Sequence, residues 1–109
     1  MHRNVMAKEK SVENRKLVTV KFSEPQKMNG SEISELVLDF SNYKGKDIIE
    51  LQTSFRALYR EYVPMPNVDV RYQAMVAGYV SKTNPADLAE LDGDAFEEVC
   101  AAVRNFIIK

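Results

Sequence analysis

The side chains best suited to covalent chemistry here are one cysteine and one histidine, and the sequence sets them far apart. His2 stands at the start of a polar segment, and Cys100 lies near the end of the chain. A nucleophile needs a base within hydrogen-bond reach, and nothing local supplies one to Cys100. Cys100 shares an apolar helical stripe with Val99 and Val103, the place of a small core residue. One Cys and one His cannot build a zinc finger or ribbon. Asp92, Asp94, Glu97 and Glu98 form an acidic cluster, but LDGDAFEE lacks the alternating ligands and closing glutamate of a calcium loop. Helix capping and solvated surface account for it. The four glycines (30, 45, 78 and 93) are scattered, so no phosphate-cradling loop is present. The sequence therefore predicts no catalytic residue, no metal ligand set and no cofactor, and a protein that is not an enzyme.

The remaining candidates for function are side chains suited to binding. Tyr59, Tyr62, Tyr72 and Tyr79 fall on two successive helical stretches, with Met65 and Met75 among them. Tyr and Met favour surfaces that adapt to a partner, and they are equally at home in a core whose rim reaches water. Both readings stay open. Met65, between Pro64 and Pro66, is a plausible contact point because a stiff turn presents it. These six residues are the candidate partner-binding set.

The elements that must position them emerge from patterning. The 109 residues suit one domain, with 45% apolar and 28% charged residues. A chain of this size buries roughly two-thirds of its unfolded surface. Residues 1–15 are polar and read as a flexible N-terminal arm without a signal-peptide core. A single thiol fits a reducing cytoplasm, and no stretch approaches the length of a membrane span. Net charge is −1, which argues against nucleic acid as the main ligand. The charge is uneven. Residues 1–16 carry five cations against two carboxylates, and residues 84–109 carry six carboxylates against two cations. These could steer a partner, or be ordinary solvated surface.

From residue 16 to 109 the pattern predicts one α+β domain. LVTVKF alternates, with Val18, Val20 and Phe22 on one face, and ISELVLDF places Leu36, Leu38 and Phe40 likewise. Around Asn29-Gly30 this predicts an antiparallel hairpin over 16–41, with a loop longer than two residues. A hairpin alone is marginal, so it must pack on the helices of the later chain. Helical spacing at Ile48, Leu51, Phe55, Leu58, Tyr59 and Tyr62 predicts a helix over 46–62, ended by Pro64 and Pro66. A second helix over 68–82, capped by Asn67, carries Val68, Tyr72, Met75, Val76, Tyr79 and Val80. Asn84-Pro85 starts a short helix over 85–91 that buries Leu88 and Leu91. A last helix over 94–108 carries Phe96, Val99, Cys100, Val103, Phe106 and Ile107. The expected architecture is a hairpin packed on a small bundle of about four helices.

The order of these segments resembles a known family. Lys27-Met28-Asn29-Gly30-Ser31-Glu32-Ile33-Ser34-Glu35-Leu36 leads into Val37-Leu38-Asp39-Phe40, and Gly45-Lys46-Asp47 opens the first helix. Ala74-Met75-Val76-Ala77-Gly78-Tyr79 comes next, and Leu88, Leu91, Asp94, Phe96, Val99, Val103 and Phe106 close the pattern. Over residues 17–108 the chain resembles the tail assembly chaperones of long-tailed bacteriophages and prophages. The resemblance implies binding to the tape measure protein, recruitment of tail tube protein around it, and action in the host cytoplasm with absence from the mature virion. A long chain with apolar helical stripes needs sheathing until it is assembled, and a small helical domain in many copies could supply it. Self-association is expected on the same reading. Competing readings are a structural or adaptor subunit of a tail or another assembly, and a small nucleic-acid-associated regulator. The last is disfavoured because the final helix sets Glu97 and Glu98 against Arg104.

Overall fold

A computed structural model describes residues 16–108; the arm expected over 1–15 lies outside the described residues. The hairpin strands are β1 (Leu17–Met28) and β2 (Ser31–Asp39). Four helices complete the fold: α1 (Gly45–Tyr59), α2 (Val70–Ser81), α3 (Pro85–Leu88) and α4 (Gly93–Ile107), with a 3-10 turn over Pro66–Val68 before α2. The class is α+β, as the patterning predicts.

The hairpin loop is shorter than expected. Asn29 and Gly30 both take positive φ, 53° and 77°, and Met28 pairs with Ser31, so the loop is two residues. Asn-Gly suits such a turn because its twist matches that of the strands. The Pro25 region belongs to the strand as an irregularity. Lys21 pairs with Glu35 and Gln26 with Ile33, which leaves residues 22–25 opposite Ser34 alone. Proline has no N–H to give a ladder, and a bulge is where a strand tolerates it. Beyond the bulge Gln26 is buried. Its Oε1 accepts the Asp92 N–H at 2.9 Å, and its Nε2 donates to Asp92 Oδ2 at 3.4 Å. Asp92 is the N-cap of α4 and makes no side-chain cap bond, so Gln26 satisfies that helix start from across the fold.

The alternating faces pack as expected. Val20, Leu36, Leu38 and Phe40 join Phe55, Tyr72, Val76, Leu88, Val99 and Val103 in one core. Each such side chain contributes about 1.5–3 kcal/mol by leaving water. Phe40 stacks on Phe106 with centroids 3.8 Å apart. α2 lies at the centre and touches β2, α1, α3 and α4. Gly78 allows the closest approach: a Cβ there would sit 2.6 Å from the Thr83 carbonyl oxygen and 3.1 Å from Pro85 Cγ.

Helix ends differ from expectation for local reasons. α1 stops at Tyr59 and not near 62, because Arg60 turns left-handed (φ 48°) and gives its N–H to Arg56 O. Asp69, not Asn67, caps α2, accepting the Arg71 N–H at 2.8 Å. A carboxylate suits a helix start better than a neutral amide, and Asp69 also holds the Arg71 guanidinium. Asn67 instead accepts the Gln73 Nε2 donor at its carbonyl. α3 ends at Leu88, and the turn after it still buries Leu91.

Candidate partner-binding surface

The six candidate residues do not form one surface. α1 and α2 run antiparallel. Tyr79 near the end of α2 donates its hydroxyl to Asp47 Oδ1 at 2.6 Å near the start of α1, and Arg71 at the other end of α2 lies 4.4 Å from the Tyr59 ring. The stripes that carry the tyrosines therefore face each other, and their middles are used up by that contact. Tyr72 is 1% exposed, edge-on to Phe55 at 5.6 Å, so it is a core residue and not a docking residue. Met75 is half-buried against the same core. Tyr59 is half-buried, tilted on Phe55 at 5.1 Å. Tyr79 is 47% exposed. Only Tyr62, 91% exposed, and Met65, 63% exposed, stand well clear of the body.

Arg71 fastens this region. Its guanidinium lies against the Phe55 and Tyr59 rings, takes Asp69 in a two-pronged pair with 3.0 and 2.8 Å contacts, and forms an ion pair with Glu61. The fork geometry and the ring faces both suit arginine. Arg71 holds the Asp69 carboxyl below its ordinary pKa. At the other end, the Tyr79 hydroxyl and the Lys44 N–H hold the Asp47 carboxyl down. The same bond to Asp47 raises the Tyr79 phenol. Burial pushes Tyr43 above its usual value and the Cys100 thiol up to about 11. Cys100 donates to Val70 O at 3.9 Å, which fits a protonated core thiol.

Beside the expected Tyr62 and Met65, the structure exposes Ile48, Leu58 and Val68, which the sequence places on apolar helix stripes, and Ile49, 68% exposed, which sequence reasoning missed. The signal was the Ile48-Ile49 pair: adjacent residues on a helix point about 100° apart, so α2 cannot cover both. Beside them runs a groove of roughly 310 Å³. It is lined by Tyr43, Ile48 and Gln52 of α1, Asn67, Tyr72, and Phe106 and Ile107 of α4.

No protein-family model, curated protein or solved structure matches this chain. Among the described residues, no helix is long and apolar enough to cross a membrane.

Proposed function

We propose that this chain is a non-catalytic assembly chaperone of a phage or prophage tail. On this reading it binds the tape measure protein in the host cytoplasm, helps recruit tail tube subunits, and is absent from the mature virion. The observation that carries the reading is α1 and the segment leading to α2, which leave six large apolar side chains between Ile48 and Val68 in contact with water. So many large apolar side chains left exposed on one stretch of a small domain favour a place where another protein binds. The groove of roughly 310 Å³ beside α1 has room for one or two apolar side chains of such a partner.

The test is co-expression with the long helix-rich protein of the same tail, then pull-down and a solubility assay. Co-purification of a soluble complex is the expected outcome. If the long protein stays insoluble and uncaptured at matched expression, the reading fails. A chain that then remains in purified particles belongs to the structure of the tail instead.

A further inference from the structure

We propose that the free edge of β1, over residues 17–21, pairs antiparallel with the same edge of a second copy, so that two hairpins join into one continuous sheet. The ladder fixes which backbone groups are free. Phe40 donates its N–H to Lys16 O at 2.7 Å, and Val18 lies opposite Leu38 and Val20 opposite Leu36. In an antiparallel pair, residues that exchange bonds alternate with residues that do not. The N–H and C=O groups of Leu17, Thr19 and Lys21 therefore point away from β2. Among the described residues no other backbone takes them up. The inner face is unfinished on the same side. Leu36, Leu38 and Phe40 of β2 are buried, whereas Val18 and Phe22 of β1 are only half-buried.

Charge and register select a second copy as the occupant. A two-fold axis at Thr19 sets Thr19 against Thr19, Leu17 against Lys21 and Val18 against Val20, with free edges matched and no like charges opposed. At each end of the paired stretch, Lys16 then faces the second copy's Phe22. Phe22 lines one small hollow with Glu24, Asp94 and Glu98. Among the described residues the ion pairs are those of Arg71 with Glu61 and Asp69, so no described cation is paired with these carboxylates. Lys16 supplies one from across the axis, and the symmetry repeats the contact. The β2 edge lacks this match: its outward residues are Glu35, Val37 and Asp39, and pairing it with itself crowds carboxylates. Pro25 and the bulge end the usable β1 edge beyond Lys21. Pairing β1 with the β2 of a next copy leaves an edge open at each end and grows without closing. A foreign strand meets the backbone groups but brings no Lys16 to the acidic hollow. β1 packs chiefly on β2 and α4 and not on α1, so the dimer leaves the exposed side chains of α1 open and does not rest on the chaperone reading.

An edge this short buries less than the roughly 1,000 Å² of a lasting interface, so a dimer with a Kd of about 10 µM to 1 mM is expected. Sedimentation equilibrium of the full chain across that range tests it. Thr19→Pro removes an N–H that the hairpin ladder does not use and is expected to weaken the dimer at least about tenfold. Val37→Pro, its match on the β2 edge, is expected to leave the dimer unchanged. K16E is expected to weaken it about threefold, and K16E/E98K to restore it. Thr19→Cys reads the register directly. Facing Cα atoms about 5.5 Å apart lie within disulfide range, so mild oxidation is expected to give a covalent dimer, whereas V37C stays monomeric; Cys100 is buried. A monomer at about 1 mM, growth beyond the dimer, or a dimer lost in folded V37P but kept in folded T19P overturns the inference. So does a T19C chain that stays monomeric on oxidation.

Discussion

α1 and α2 are neighbouring amphipathic helices with different fates. α2 buries Tyr72, Gln73, Ala74, Val76, Ala77, Gly78 and Val80 among its 12 residues, whereas α1 buries Asp47 and Phe55 among 15. α2 is enclosed by the hairpin, α1, α3 and α4, and α1 rests chiefly on α2. The contrast separates two positions: α2 organises the core, and α1 closes one side of it with its outer flanks exposed. Local stability should obey the same division, since segments with few buried contacts open at lower free energy.

The largest test of the contrast lies in the body. Phe40→Ala removes a ring stacked on Phe106 and should cost about 3–5 kcal/mol, read as a lower urea midpoint. A loss below about 1 kcal/mol would place the core elsewhere. Gly78→Ala comes next. Its new Cβ meets the Thr83 carbonyl, and the overpacking exceeds the gain in helix propensity, for a net loss of about 1–2 kcal/mol. An unchanged midpoint would show that α3 can shift away from α2.

Asp47 probes the seam between the two helices. Its folded pKa is depressed by the Tyr79 hydroxyl and the Lys44 N–H. Its contribution is therefore complete above the unfolded value of 3.8 and is lost as pH falls through the lower folded value. Asp47→Asn should flatten that acid limb, with faster amide exchange in α1 than in α2. Uniform exchange across both helices would remove the contrast. The smallest effect is expected outside the body: Tyr62→Ser with Met65→Ser should change stability by no more than about 0.5 kcal/mol while weakening capture of the partner. A large stability loss would mean that these side chains belong to the fold.

Much of the fold was legible because period and punctuation are local. Alternation located Leu36, Leu38 and Phe40 on the inner face, and Asn84-Pro85 marked the start of α3. The two-residue turn was obscured by Pro25, which signals a loop unless a bulge receives it. Gln26 carried no mark of burial, because its partner Asp92 is distant in sequence. The candidate site was least legible. Tyr72 and Tyr79 lie on one stripe at i and i+7, yet one is 1% and the other 47% exposed. A stripe defines which face is apolar and carries no information about where the neighbouring helix ends.

The Gln26–Asp92 link also has a timetable. A ribosome adds roughly 5–20 residues per second, so the hairpin waits on the order of several seconds for the residue that receives Gln26 and longer for Phe106 to cover Phe40. Throughout that interval the nascent hairpin has an uncovered apolar face and two open strand edges. The chain is therefore most vulnerable to its neighbours on a crowded polysome, and a pause in translation shortly before residue 92 prolongs that exposure.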